Sequence, residues 1–133
     1  MVVKEVCVDN LKDAVRAYEA GANRIEYCSN LDQDGLTPNL DELLTLSKTI
    51  PIPIRCMLRP HSNSFTYNKN DIEKIRKTIN FCKKNKIDGV VFGCLNAKNE
   101  IDFTTLKVIS NITTPLKLIF HKAIDITTDF DKS

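Results

Sequence analysis

Hydrophobic and polar residues follow one another along this chain in blocks whose period changes from two residues to about 3.6 and back. Short apolar stretches predict five strands, over residues 2–8, 23–28, 54–59, 88–94 and 116–121. Between them, apolar residues spaced three and four apart predict four amphipathic helices. Alternating strands and helices are typical of a parallel sheet with right-handed crossovers, so the pattern places the chain in the α/β class.

Residues that favour helix starts precede each of the four helical stretches. Asn10 predicts the cap of the first helix, and Thr37-Pro38 predicts a cap followed by proline at the first helical position of the second. The segment Asn70–Glu73 has the spacing of a capping box for the third helix. Asp102 predicts the cap of the fourth.

Two architectures fit this order of elements: an open, doubly wound sheet of five strands, and the first half of a (β/α)8 barrel, which normally needs about 250 residues. Polar residues near the carboxyl ends of consecutive strands favour the barrel, because every strand of a barrel can contribute to the site. These residues are Glu5, Cys7, Glu26, Cys28, Arg59, His121 and Asp125. We therefore expect strands 1–5 and helices 1–4 of a TIM barrel, as one partial domain over residues 1–133.

Charge and composition exclude several classes of partner. A net charge of +2 with both signs interspersed gives no basic stripe, so we expect no nucleic-acid partner. No apolar run approaches the ~20 residues needed to cross a bilayer, and the N-terminus lacks the pattern of a secretion signal. The five cysteines have neither disulfide-framework nor zinc-finger spacing, which indicates reduced thiols in the cytosol.

A glutamate followed two residues later by a cysteine occurs in each of the first two predicted strands, as Glu5/Cys7 and Glu26/Cys28. Because side chains alternate across a strand, each Glu shares a face with its Cys, and neighbouring strands would bring two carboxylates and two thiols together. A charged residue in a buried strand costs free energy unless it has a partner, which favours a site. Alternatively, both glutamates face water and both cysteines fill gaps in the core.

Five motifs occur in one order along the chain: Glu5–Cys7 (EVC), Gly21–Cys28 (GANRIEYC), Gly35–Asn39 (GLTPN), Met57–Pro60 (MLRP) and Phe120–Asp125 (FHKAID). In this order and spacing they resemble the copper homeostasis protein CutC family. The resemblance implies a cytosolic TIM barrel linked to copper handling, with no settled enzymatic reaction, and it implies that Cys7 and Cys28 hold Cu(I).

The chain departs from the family pattern at three motifs. His61 follows Arg59-Pro60 where the family usually has arginine, Asp34-Gly35 replaces a pair of glycines, and Lys122 follows His121 where arginine is usual. Lysine lacks the planar fork of arginine, so anion binding at these positions is in doubt. Similar proteins also continue for about three more strand–helix units. We therefore expect unpaired terminal strands that favour self-association into a homo-oligomer.

Copper is the metal that the cysteine pair favours, since thiolates prefer Cu(I) and strands about 4.8 Å apart can present two sulfurs together. The thioether of Met57, on the next strand, is a candidate third ligand, although methionine in a strand usually packs in a core. Zinc would need further ligands such as Glu or His121. The alternative is two buried, reduced cysteines that bind no metal.

An enzymatic hypothesis depends on Glu5, Glu26, Arg59 and His121. Crowded carboxylates beside an Arg and a His can divide into an acid and a base, and His121 at a strand end is the natural proton-transfer group. Arg59 would hold a small anionic substrate, or it only neutralises the glutamates. The alternative for His121 is a structural role in which a nearby carboxylate pairs with it.

The remaining candidates have structural interpretations. We expect His61 to be solvated in its polar loop, and we expect Cys56 and Cys82 to pack in the core, whereas Cys94 is ambiguous. Asp125 would orient Lys122 or cap a fifth helix. The function that the sequence favours is Cu(I) handling, with a barrel enzyme acting on a small anionic molecule as the alternative.

Overall fold

The strands of the sheet lie in the order in which they occur in the chain, and every neighbouring pair is parallel. This computed structural model describes residues 3–96, 98 and 100–120. The strands are β1 (Glu5–Val8), β2 (Arg24–Tyr27), β3 (Ile54–Met57), β4 (Gly89–Phe92) and β5 (Lys117–Phe120). The helices are α1 (Leu11–Glu19), α2 (Leu40–Thr49), α3 (Lys69–Lys84) and α4 (Phe103–Thr113), with a short 3-10 turn at Leu31–Gln33.

This strand order distinguishes between the two expected architectures. A doubly wound sheet reverses its strand order at a switch point, whereas a barrel adds each new strand on the same side of the previous one. The order β1-β2-β3-β4-β5 contains no reversal. Right-handed crossovers that all progress in one direction place the helices on one face of the sheet, as in a barrel wall.

Strands β1 to β5 are each shorter than the sequence predicted, with four residues per strand. Apolar residues that flank the strands are buried without belonging to them. Leu58, directly after β3, is fully buried and its N–H still donates to the carbonyl of Val91 at 2.8 Å. Apolar character thus predicts burial at these positions better than it predicts strand length.

Two of the four predicted helix caps are confirmed. The Asn10 side chain accepts a hydrogen bond from the N–H of Asp13 at 2.8 Å, and that of Asp102 accepts one from the N–H of Thr105 at 3.1 Å. Each satisfies a backbone donor in the first turn that has no partner within the helix.

The other two caps were predicted two residues away from where they occur. Helix α2 is capped by Asn39 rather than Thr37, because the Thr37 hydroxyl accepts from the Arg59 N–H at 2.9 Å and is used in another contact. Helix α3 is capped by Asn68 rather than Asn70, and Asp71 completes the capping box by accepting from the Asn68 N–H. In both cases the residue that caps the helix lies two positions from the predicted one, because its side chain is better placed to accept from an N–H of the first turn.

The main core lies between the helices and the face of the sheet that they cover. It contains the strand residues Ile25, Tyr27, Ile54, Cys56, Val90 and Phe92, together with Leu58 directly after β3. Cys56 and Cys82 are fully buried in it, as expected, and so is Cys94, whose thiol also donates to the Asp102 carbonyl at 3.3 Å. Among the described residues, no helix has the length and apolar character needed to cross a bilayer.

Candidate functional site

The face of the sheet opposite the helices carries the candidate site, in two adjacent rows. Sheet register aligns the first row, which we call the ionic row: Cys7, Glu26, Arg55, Gly89 and Lys117. Two residues farther along each strand, on the same face, lies an apolar row that we call the sulfur row: the buried Cys28, Met57 and Val91, and the partly buried Ile119. Alternation along parallel strands produces both rows, because residues two apart face the same way.

Cys7 and Cys28 meet where the two rows adjoin. Their Sγ atoms are 4.0 Å apart across the β1–β2 pair. Cys7 is exposed, whereas Cys28 is buried and its thiol lies 3.5 Å from the carbonyl oxygen of Val8, a second acceptor for its single proton. The repeated Glu-x-Cys pattern therefore brings the two thiols together on one face, one at the surface and one beneath it.

The two thiols differ in acidity because of their mutual contact. When Cys28 donates to the sulfur of Cys7, the hydrogen bond lowers the pKa of Cys7, and this outweighs the opposing effects of burial and nearby carboxylates. The same contact, together with burial, raises the pKa of Cys28. The pair thus presents one thiol that ionises readily and one that holds its proton.

Gly35, in the loop after β2, lies against the sulfur row. Gly35 is buried with φ +89°, and a Cβ at this position would lie 3.3 Å from Cys28 Sγ and 3.5 Å from Met57 Cε. The Met57 methyl group and the Cys28 thiol therefore border the same small space. The sequence shows Gly35 only as part of a motif, and its contact with the sulfurs depends on a loop path that periodicity does not predict.

Glu5 lies at the opposite end of its strand from the position expected for a catalytic group. It is the first residue of β1, at the amino end, and not near the carboxyl end where barrel active sites form. Arg24 Nη2 donates to its Oε2 at 3.2 Å, and Arg24 Nε lies 3.1 Å from its Oε1. Glu5 is therefore part of an ion pair, and its predicted catalytic role remains a prediction.

Glu26 lies in the ionic row beside Cys7, as its spacing predicted. Burial is the main reason that the pKa of Glu26 is raised, and the charge of Glu5 adds to the effect. Arg55 and Arg24 oppose the shift. Its proposed role in acid–base chemistry remains a prediction.

Arg55 is the central cation of the ionic row, and sequence reasoning missed it. Its Nη1 lies 3.9 Å from Glu5 Oε1, and its Nε lies 3.4 Å from Asp88 Oδ2. Lys117 Nζ lies 3.6 Å from Asp88 Oδ1. The signal available was an arginine at an inward position of a buried strand, which requires carboxylate partners.

Arg59 is buried and holds a loop. Its Nη1 donates to the carbonyl of Gln33 at 2.9 Å and to that of Gly35 at 3.5 Å. Its guanidinium carbon lies 4.5 Å from the centre of the Phe65 ring, a cation–π contact. These contacts fix the loop that carries Gly35, and the anion-binding role predicted for Arg59 is untested.

The expectation that His61 is solvated was wrong. Its Nε2 lies 3.3 Å from Asp71 Oδ2, and its ring contacts Tyr67 edge-on at 5.3 Å between centres. Asp71 also belongs to the capping box of α3, so its carboxylate contacts both His61 and the backbone N–H of Asn68. His121 and Asp125 lie outside the described residues.

The donors at the site fit a soft monovalent metal better than zinc. Two thiols and the side chain of a methionine gather there, and such sulfur ligands favour Cu(I). Zinc needs four N, S or O ligands. Within residues 3–96, 98 and 100–120, no group of three or more His, Cys, Asp and Glu side chains could hold a metal ion.

Comparison with known proteins adds independent information. The sequence model of the CutC family matches residues 2–133. A human relative named copper homeostasis protein cutC homolog is 38% identical over 94% of this chain and 46% of its own length. A relative from Vibrio atlanticus, named family protein CutC, is 38% identical over 95% of this chain and 52% of its own length. The chain thus spans about half the length of the curated relatives it matches.

A solved structure agrees with the fold. The crystal structure of a CutC copper homeostasis protein from Streptococcus agalactiae superposes with a TM-score of 0.89 at 29% sequence identity. The match covers 96% of this chain and 62% of that one. The five parallel strands and their helices correspond to the first half of that TIM-barrel-like fold.

Proposed function

Because this chain belongs to the CutC family of copper homeostasis proteins, we propose that it binds Cu(I) in the cytosol through Cys7 and Cys28. The separation of 4.0 Å between the two Sγ atoms is the observation that carries this proposal. Two sulfurs so placed can contact one ion without movement of the strands. The absence of disulfide-framework spacing among the five cysteines supports a reducing compartment.

A copper-loaded pair would carry negative charge. Two thiolates around one Cu(I) have a net charge of −1, which needs a nearby cation when it is partly buried. Arg55 lies in the same row as Cys7 and its side chain is only 12% exposed, but it is already paired with Glu5 and Asp88. Nearby carboxylates, Glu26 among them, also act on Cys7, so Arg55 would offset only part of this charge.

Competition for the metal tests the proposal. Reduced protein should take Cu(I) from a chromogenic Cu(I) chelator and should prefer Cu(I) to Zn(II). A Cys7→Ser/Cys28→Ser variant should lose both properties. A Cys56→Ala/Cys82→Ala variant is the matched control, since it removes two thiols from the helix side of the sheet and leaves the pair intact. Equal competition by the parent and the double serine variant would contradict copper binding at this pair.

An enzyme acting on a small anionic molecule remains the alternative, with Glu5, Glu26, Arg59 and His121 as its candidate groups. The described contacts do not favour it, because Glu5 is paired with Arg24 and Arg59 donates to loop carbonyls. Substitution separates the two functions. Copper binding needs both thiols and tolerates His121→Ala, whereas the enzymatic function needs His121 and the glutamates and tolerates cysteine to serine.

A further inference from the structure

The distance between the two thiol sulfurs indicates the number of ligands that a bound ion would have. With metal–thiolate bonds of about 2.3 Å, two sulfurs on opposite sides of one ion lie about 4.6 Å apart. The observed 4.0 Å corresponds instead to an angle of about 120° at the ion for bonds of that length. That angle is the one found in a trigonal site, which has room for a third ligand.

The side chain of Met57 packs beside Cys28, the buried thiol of the pair. Met57 lies on β3, the strand next to β2, and packs against Cys28 in the sulfur row. Its terminal methyl carbon and the Cys28 sulfur both lie within 3.5 Å of the position that a Cβ on Gly35 would occupy. The thioether sulfur is bonded to that methyl carbon, and methionine has three rotatable bonds with which to adjust its direction.

We propose that Met57 is the third ligand, so that the site is a trigonal one with two thiolates and one thioether. The proposal rests on the proposed function, since it concerns the same ion. Met57 is 5% exposed, so its side chain is held in place by the surrounding core and loses little further freedom on binding. A neutral thioether adds a soft donor without adding charge to a site that already has two thiolates.

The loop over the site keeps this arrangement in place. Gly35 leaves the space between Cys28 and Met57 free of any side chain, and its carbonyl accepts from Arg59 at 3.5 Å. The Arg59 backbone N–H also donates to Thr37, so the arginine is tied to both ends of the loop. Arg59 is therefore a positioning residue that fixes the loop over the sulfur row.

Selenium labelling tests the third ligand directly. The chain contains two methionines, Met1 and Met57, so protein grown on selenomethionine has selenium at Met57, and a Met57→Leu variant keeps only that of Met1. After loading with one equivalent of Cu(I), X-ray absorption at the copper edge should show a selenium neighbour in addition to sulfur. The same measurement on a Met57→Leu variant should show sulfur only, because leucine keeps most of the volume and lacks the donor.

Each outcome has a separate meaning. Copper bound by sulfur alone in the labelled parent would overturn the Met57 assignment and leave the two-thiol function intact. Failure of the parent to bind Cu(I) would overturn the proposed function itself. The labelled parent gives this answer even if Met57→Leu does not fold. In a folded Met57→Leu variant, Cu(I) affinity should fall by at least roughly tenfold, since the loss of a residue that only supports a ligand already costs that much.

Discussion

Arg24 and Glu5 form an ion pair across the first two strands, with Arg24 Nη2 3.2 Å from Glu5 Oε2 and Arg24 Nε 3.1 Å from Glu5 Oε1. The pair lies at the amino ends of β1 and β2, one inward position before Cys7. The two side chains neutralise each other at the end of the strands away from Cys28. The two halves of the Glu-x-Cys repeat thus have different surroundings, although their spacing is the same.

Glu5→Gln should weaken the fold and leave copper binding unchanged. Loss of the partly exposed ion pair should lower the free energy of unfolding by about 1 kcal/mol at neutral pH. Cu(I) affinity should stay within about threefold of the parent, because Glu5 contacts Arg24 and Arg55 and no thiol. Urea denaturation and chelator competition on the same sample measure both. A large loss of affinity in a stable variant would assign Glu5 to the site.

Glu26→Gln should increase stability at neutral pH, whereas Glu5→Gln should decrease it. Since burial raises the pKa of Glu26, its contribution to stability is fully present below the ordinary glutamate pKa of about 4.3 and is lost as pH rises through the higher folded value. The variant should therefore be more stable than the parent at neutral pH, and the difference should vanish at acid pH. Denaturation curves at both pH values test this, and a less stable variant at neutral pH would contradict it.

Alkylation should select Cys7 among the five cysteines. Its thiol is exposed and its pKa is lowered by the contact with Cys28, so it is accessible and its thiolate fraction near neutral pH is increased. Burial raises the pKa of Cys94 to about 12, and Cys56 and Cys82 are inaccessible in the core. Peptide mass spectrometry after brief iodoacetamide treatment shows the order in which the cysteines are alkylated. Bound Cu(I) should protect Cys7, and equal labelling of Cys7 and Cys94 would contradict the assigned environments.

Two substitutions, Gly21→Ala and Gly35→Ala, should distinguish the effect of backbone strain from the effect of crowding against the sulfur atoms. Gly21 has φ +104° with no atom within 4 Å of an added Cβ, whereas at Gly35, with φ +89°, the Cβ would crowd Cys28 and Met57. Both substitutions should cost about 1 kcal/mol of stability through the left-handed backbone. Only Gly35→Ala should also weaken Cu(I) binding. Equal affinity in both variants would show that the space under Gly35 is not used by the ion.

The polypeptide of residues 1–133 should self-associate. Among the described residues β1 pairs only with β2, and Val3 and Val6 are exposed, at 53% and 36%. An unpaired edge with apolar neighbours is a template for strand addition. Light scattering should therefore show a dimer or larger species, and Val6→Lys should shift it toward monomer. A monodisperse parent monomer that melts cooperatively would contradict this expectation.

Local rules account for what the sequence predicted well. Alternation along a strand depends only on neighbouring residues, so Glu26, Cys7 and Cys28 could be placed on one face before the structure was known. The cap at Asn68 was missed because Asn70 is an equally suitable residue by type, and the capping box with Asp71 selects Asn68. The cap at Asn39 was missed because Thr37 is used by Arg59, a contact between residues distant in sequence. The loop path that brings Gly35 to Cys28 is of the same nonlocal kind.

The unequal burial of the two thiols gives metal exchange a direction. An incoming donor from solvent reaches the pair at Cys7, which is exposed, while Cys28 lies under the loop and against Val8. If the pair holds Cu(I) as proposed, exchange by ligand substitution would begin with replacement of Cys7, with the ion still bound to Cys28 at that stage. Such a site would transfer the ion through an intermediate shared with the incoming donor, without releasing free Cu(I).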